Sequence, residues 1–157
     1  MKKILIVGAG ASGLSAAVTA AEGGASVTVL ERSALPGGNG RFAEGVFAAG
    51  SALQRRLNID AQPEKLFREA MDYSHWRADA RLVRTLIDAS GGTVDWLMGL
   101  GVPFCRVIHH MVNQSPEVFH MTDRSPSGKY VVQTLLDRAA ALGVEIRTGA
   151  RARRLLM

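Results

Sequence analysis

Cysteine, aromatic residues and long apolar runs are all scarce in this chain of 157 residues. The single cysteine, Cys105, excludes an intrachain disulfide framework and any CxxC metal or redox motif, and it is typical of a reducing cytoplasm. Aromatic residues make up only 6%, too few for a surface that stacks single-stranded nucleic acid. No run approaches the roughly 18 apolar residues of a membrane helix. We therefore expect a cytoplasmic protein without a membrane span or a nucleic-acid partner.

The rest of the composition is close to that of an average soluble domain. Hydrophobic residues make up 47% and charged residues 21%, which excludes disordered and coiled-coil classes. The net charge of +5 is concentrated in residues 106–157, where eight Lys or Arg face four Asp or Glu. Four scattered histidines lack the spacing of metal ligands, so no metal site is predicted.

The first thirty residues have the pattern of a βαβ unit. Lys3–Val7 and Ser26–Leu30 are short, β-branched aliphatic runs, which predict parallel strands buried on both faces. Between them, apolar residues recur at helical spacing up to Glu22. The basic, apolar start imitates a secretory leader, but its three glycines are misplaced for one and fit the βαβ interpretation.

The turn between the first strand and the helix reads G-A-G-A-S-G over residues 8–13. This G-x-G-x-x-G pattern, placed directly between a strand and a helix, predicts a dinucleotide site. Gly8 permits the tight turn, Gly10 lets the backbone approach a pyrophosphate, and Gly13 lets helix and strand pack closely. The pyrophosphate would lie over the helix N-terminus, whose free N–H groups favour anions.

An acidic residue follows the second strand. Glu31 comes eighteen residues after Gly13, where a carboxylate can accept hydrogen bonds from the hydroxyls of an adenosine ribose. It would repel a 2′-phosphate, although the neighbouring Arg32 weakens that argument.

A glycine-rich segment after Glu31 carries a family resemblance. Gly37-Gly38-Asn39 and, imperfectly, Ala43-Glu44-Gly45-Val46 resemble the FAD-dependent fumarate reductase and succinate dehydrogenase flavoprotein superfamily, which includes ketosteroid dehydrogenases and urocanate reductases. Val46 stands where those proteins have a glycine. The helical stretch 79–101 and the helix after Ser127-Gly128 also resemble that superfamily, so the likeness covers essentially the whole chain.

The resemblance implies FAD as the cofactor, with flavin contacts along residues 38–46. Small residues there would let main chain lie against a flat flavin ring. Asn39 stands where covalent members have a histidine, which implies non-covalent FAD, and Ala152 falls on the strand that offers backbone groups to adenine. The predicted cofactor-binding residues are Gly8, Gly10, Ala11, Ser12, Gly13, Glu31, Arg32, Gly38, Asn39, Gly40, Ala43, Gly45 and Ala152.

The resemblance also implies an activity. Family members reduce or form a carbon–carbon double bond beside a carbonyl or carboxylate, with hydride passing through the flavin and a positioned arginine handling the proton. That arginine and a second glycine-rich segment are expected after Met157. We therefore predict no catalytic residue in this chain and no turnover by it alone. A small-molecule substrate is expected for a longer protein, whereas the electron donor is not indicated.

The predicted fold class is α/β: a Rossmann-like FAD-binding domain with a parallel βαβ core and inserted helices, incomplete at the C-terminus. Residues 1–50 carry the fingerprint and flavin loop, 51–126 a helical insertion and an irregular loop, and 127–157 a helix and the first adenine-side strands. Within these segments we predict helices over 63–73, 79–89, 93–100 and 129–142, an irregular segment over 108–127, and strands over 144–147 and 151–156.

Two other interpretations stay open. The chain could be a standalone module that binds NAD or FAD without chemistry, or a remnant whose site is empty. His120, in the predicted irregular segment together with His109 and His110, is either a substrate contact or an ordinary loop residue. Cys105 is predicted to be a buried apolar residue.

Overall fold

The computed structural model describes residues 1–109 and 117–154. They form two compact units, a first unit of Met1–Ala43 with Gly128–Met157 and a second unit of Glu44–Ser127. None of the helices in the described residues is long and apolar enough to cross a membrane. In chain order the elements are β1 (Lys3–Val7), α1 (Ala11–Glu22), β2 (Ser26–Leu30), a 3₁₀ turn (Gly38–Phe42), β3 (Val46–Phe47), α2 (Ala52–Arg56), α3 (Pro63–Tyr73), α4 (Ala80–Gly99), β4 (Arg106–Ile108), β5 (Phe119–Met121), α5 (Ser127–Ala141) and β6 (Glu145–Arg147).

The first unit contains the predicted βαβ core. Its parallel sheet has the order β1-β2-β6, with Val7 opposite Leu30 and Leu30 opposite Arg147. The helix predicted after Ser127-Gly128 is present as α5, and its residues Val132 and Leu135 are buried. The mixed α/β class and the parallel sheet are therefore as the aliphatic runs predict.

One expectation for β1 is wrong. Leu5 and Val7 are 62% and 63% exposed, so this strand is not buried on both faces. Side chains alternate along a strand, and Ile6 points toward Gly13 of α1, which turns Leu5 and Val7 to the opposite face. In the described part of the chain, β1 also pairs with β2 alone.

In its described residues, the second unit combines three helices with a small antiparallel sheet. The sheet has the order β3-β5-β4, and a cluster of Ala49, Ala61, Leu66, Ile87 and Val118 forms its apolar core. Pro63 occupies the first turn of α3, where its missing N–H costs nothing, and this helix has the predicted bounds.

Three predictions about elements need correction. The helices predicted over 79–89 and 93–100 are one continuous helix, α4. The segment predicted as irregular over 108–127 contains β5 and the end of β4, although residues 110–116, with His110, lie outside the described residues. Residues 151–154 are not in a strand, and 155–157 lie outside the described residues.

Candidate cofactor-binding site

The glycine turn between β1 and α1 has the local geometry that its sequence predicts. Gly8 has φ = +95°, a conformation that side-chain-bearing residues rarely adopt. A Cβ at Gly13 would overlap the carbonyl oxygen of Gly8, so only glycine permits this close packing of helix against turn. Both residues are therefore required by the protein's own backbone.

Gly10, by contrast, is not required by the protein's own packing. Its φ of −79° is ordinary, and a Cβ built there would have no atom within 4 Å. The open space lies at the start of α1, where Gly10 is the N-cap residue without a side-chain cap. Helices leave their first N–H groups without carbonyl partners, and here no acidic residue occupies the first turn. The amides of Ala11 and Ser12 are thus placed for an anion, and the residues fit a pyrophosphate.

Glu31 lies at the end of β2 and is only 7% exposed. Its Oε2 accepts a hydrogen bond from the N–H of Ala9 and its Oε1 one from the N–H of Ser33, both 2.8 Å long. These main-chain donors, Ser33 first, hold the pKa of the Glu31 carboxyl below its usual value. Each carboxylate oxygen keeps a second lone pair, so the predicted ribose contact is compatible with this arrangement.

The segment after Glu31 returns to the glycine turn. The N–H of Gly37 donates to the carbonyl of Ala9 over 2.6 Å, and Gly37 has φ = +113°. The 3₁₀ turn then passes close to α1, because a Cβ on Gly40 would lie 3.1 Å from that of Ala11. Gly38 and Asn39 are exposed at the start of this turn. Predicted pyrophosphate and flavin residues therefore lie side by side in the first unit.

Sequence reasoning missed the part that Gly128 plays here. A Cβ on Gly128 would overlap the carbonyl oxygen of Gly40, and its N–H donates to the carbonyl of Ala43 over 2.8 Å. The start of α5 therefore supports the 3₁₀ turn and its C-terminal neighbour. The sequence feature that could have indicated this contact is the glycine at position 128, directly after Ser127 and at the start of a helix.

A cleft of about 370 Å³ opens beside the glycine turn. The main chain after β6 reaches it because the N–H of Ala150 donates to the carbonyl of Glu31 over 2.8 Å. The cleft is lined by residues from the ends of β1 and β2 and from the chain after β6: Val7, Gly8, Leu30, Glu31, Arg32, Ala150, Arg151 and Ala152. The predicted ribose and adenine residues are thus brought together.

Gly45 belongs to the second unit and has a structural reason to be glycine. A Cβ there would lie 2.5 Å from the ring of Phe119 and 2.9 Å from the carbonyl oxygen of His120. Its predicted flavin contact stays a prediction.

His120 is a buried residue of β5, not an ordinary loop residue. Its Nδ1 lies 3.3 Å from the carbonyl oxygen of Val118, which can only accept, so Nδ1 carries the proton. Nε2 then accepts from the hydroxyl of Ser51, 2.7 Å away. Ser51 in turn caps α2 by accepting from the N–H of Gln54. Cys105, predicted to be buried, is exposed just before β4, so that prediction is wrong.

A family model described as "FAD binding domain" matches residues 3–157. The chain belongs to the FAD binding domain family. This membership identifies FAD as the cofactor, and it agrees with the dinucleotide geometry of the first unit.

Similar proteins are reductases by name. The chain is 37% identical over 150 residues to a vinyl phenol reductase of Lactiplantibacillus plantarum, covering 95% of this chain and 30% of that protein. It is 32% identical to a fumarate reductase (cytochrome) of Shewanella frigidimarina, covering 94% of this chain and 26% of that protein. It therefore spans between a quarter and a third of the length of these curated relatives.

Solved structures share the fold. The open conformation of a flavocytochrome c3 fumarate reductase matches with a TM-score of 0.86 at 26% identity, over 94% of this chain and 26% of that one. A 3-ketosteroid-Δ4-(5α)-dehydrogenase from Rhodococcus jostii RHA1 matches with a TM-score of 0.79 at 22% identity, over 94% of this chain and 38% of that one. The expected resemblance to this superfamily is confirmed.

Proposed function

We propose that this chain forms the pyrophosphate- and ribose-binding part of an FAD-dependent reductase of activated carbon–carbon double bonds. The observation that carries the proposal is the open space at Gly10, which the protein's own packing does not explain. The amides at the start of α1 would hold the pyrophosphate, Glu31 the ribose, and Ala152 the adenine side. When bound, FAD would supply hydride transfer, which no side chain can provide.

The relatives' names support the reaction class. Fumarate carries its double bond between two carboxylates, whereas a vinyl phenol carries one conjugated to an aromatic ring. We therefore propose a small conjugated alkene as substrate of the whole protein. We assign the proton donor outside these 157 residues, because the family resemblance places the positioned arginine after Met157.

We further propose that FAD is held without a covalent bond. Asn39, the exposed residue at the predicted flavin loop, has an amide in place of a nucleophilic ring nitrogen. The single cysteine supports a cytoplasmic location for the protein.

The test is to incubate the 157-residue chain with FAD, remove free flavin by gel filtration, and record the visible flavin absorbance. We expect retained flavin, released into the supernatant when the protein is precipitated with acid. Flavin that stays with the precipitate would contradict the non-covalent assignment. A chain that takes up no FAD but is protected against heat by NAD would support the standalone nucleotide module instead, and indifference to both would support an empty site.

Two glycine variants provide matched controls. Gly10→Ala should abolish FAD uptake while lowering the free energy of unfolding by less than about 1 kcal/mol, because its Cβ enters only the ligand's space. Gly13→Ala should abolish FAD uptake as well, but it should also lower the free energy of unfolding by about 2–3 kcal/mol, because its Cβ overlaps the backbone of Gly8. Undiminished FAD uptake by Gly10→Ala would contradict the proposed site.

A further inference from the structure

Glu31 is connected to more of the first unit than a ribose-binding acid needs to be. Its carboxylate binds the N–H groups of Ala9 and Ser33, which belong to two different segments. Its main-chain N–H donates to the carbonyl of Arg147 over 2.8 Å, and its carbonyl accepts from Ala150. The residue therefore joins the glycine turn, the loop after β2, the end of β6 and the chain beyond it.

The contact to Ala9 extends further. Ala9 donates its N–H to Glu31, and its carbonyl oxygen accepts a hydrogen bond from the N–H of Gly37 over 2.6 Å. Gly10 and Gly37 also form a parallel bridge. A chain of hydrogen bonds thus runs from the Glu31 carboxylate through the Ala9 residue to the start of the 3₁₀ turn.

We infer that Glu31 is a positioning residue that holds the glycine turn and the Gly37 segment in their binding arrangement before any cofactor arrives. This inference rests on the proposed function, and it goes beyond the ribose contact, because it makes pyrophosphate binding depend on Glu31 as well. Because the site is already ordered before the dinucleotide binds, binding does not have to order these segments, and the affinity is higher.

The chemistry of the carboxylate explains why an acid is suited to this role. A carboxylate is an acceptor at both oxygens, so it can bind two N–H groups at once. The isosteric amide of Glu31→Gln keeps one acceptor and turns a donor toward the other N–H group. Because the side chain is only 7% exposed, water cannot replace the lost partner freely.

The test compares wild type, Glu31→Gln and a control, Asp137→Asn, which removes one exposed charge from α5 of the same unit. Amide hydrogen exchange of the ligand-free proteins is measured by NMR. In Glu31→Gln we expect the Ala9 and Gly37 amides to exchange roughly tenfold faster or more, as expected for loss of a charge-assisted hydrogen bond. The β2 amides and the control should keep wild-type rates.

Binding of ADP and of 2′,3′-dideoxy-ADP then separates positioning from ribose recognition. We expect Glu31→Gln to lower the affinity for the dideoxy nucleotide, which has no 2′- or 3′-hydroxyl, by roughly tenfold. The affinity for ADP should fall by at least the same factor. Weakening of ADP alone, or unchanged exchange at Ala9, would overturn the inference.

Two further outcomes keep the conclusions separate. If wild type binds neither nucleotide nor FAD, the proposed function fails, while hydrogen exchange still decides whether Glu31 holds the turn. If Glu31→Gln does not fold, Glu31→Asp is measured in the same way. This variant keeps the charge but is one methylene shorter, so we expect faster Ala9 exchange, and wild-type exchange there would overturn the inference.

Discussion

At the scale of single residues, His120 is the one buried titratable group among the second unit's described residues. It is fully buried on β5, and its ring nitrogens bind the Val118 carbonyl and the Ser51 hydroxyl. Burial lowers the pKa of His120 below its ordinary value of 6.5. The unfolded chain therefore binds a proton at a higher pH than the folded chain does, and folding opposes protonation.

This shift predicts a loss of stability in mild acid. The free energy of unfolding should be constant above the unfolded pKa and decline as the pH falls from 6.5 toward the lower folded value. Urea unfolding of the second unit, followed between about pH 7.5 and 5.5, measures the slope. The variant His120→Gln, which cannot gain a proton in this range, should be less stable but nearly flat, and an unchanged slope would contradict the assignment.

Glu31 does not contribute in the same window. Its folded pKa lies below the ordinary value of 4.5, so its stabilisation is complete above that pH and is lost only as the pH falls further. The two groups can therefore be separated by pH alone.

At the scale of secondary structure elements, Gly91 and Gly92 of α4 show what a local pattern can and cannot predict. Two consecutive glycines favour a helix end, yet α4 continues through both. A Cβ on Gly91 would overlap the carbonyl oxygen of Ala49, so close packing within the second unit explains this glycine. A Cβ on Gly92 would have no atom within 4 Å, and this glycine has no packing role in the described residues.

The two glycines therefore predict opposite effects of one substitution. Gly92→Ala should raise the free energy of unfolding by about 0.5–1 kcal/mol, because alanine loses less backbone entropy in a helix. Gly91→Ala should lower it by about 1–3 kcal/mol through overlap with the backbone at Ala49. Urea unfolding monitored by circular dichroism measures both, and a stabilised Gly91→Ala would show that α4 ends or moves there.

The same contrast separates the predictable elements from the missed ones. β1 and α1 were predictable because each has a local pattern and a glycine signal at its end, and β2 was predictable because it is a short β-branched run. β5 and β4 have three residues each, and β5 pairs with β3 across more than seventy residues of sequence, so no local pattern marks them. The site divides in the same way: the turn at Gly8 was predictable, whereas the binding of Ala9 by Glu31 requires tertiary structure.

At the scale of the whole molecule, one face of β1 remains exposed. Leu5 and Val7 of β1 lie on it, and in the described residues β1 has a neighbour along one edge only. Parallel sheets are normally covered on both faces, and an aliphatic edge strand pairs readily with another chain. The five residues of β1 have both an exposed aliphatic face and an unpaired edge in the described part of the chain.

We therefore expect this chain to self-associate through β1 as its concentration rises. Sedimentation velocity over a concentration series should show growth of larger species, and Leu5→Lys should shift their onset to higher concentration, because a charge on this face opposes pairing. Leu82→Lys is the matched control, since Leu82 of α4 is 69% exposed but lies in the second unit. If both lysine variants delay association equally, added net charge explains the effect and the β1 face does not. If Leu5→Lys alone delays it, the aliphatic strand that begins the dinucleotide fold is also the strand through which these chains associate.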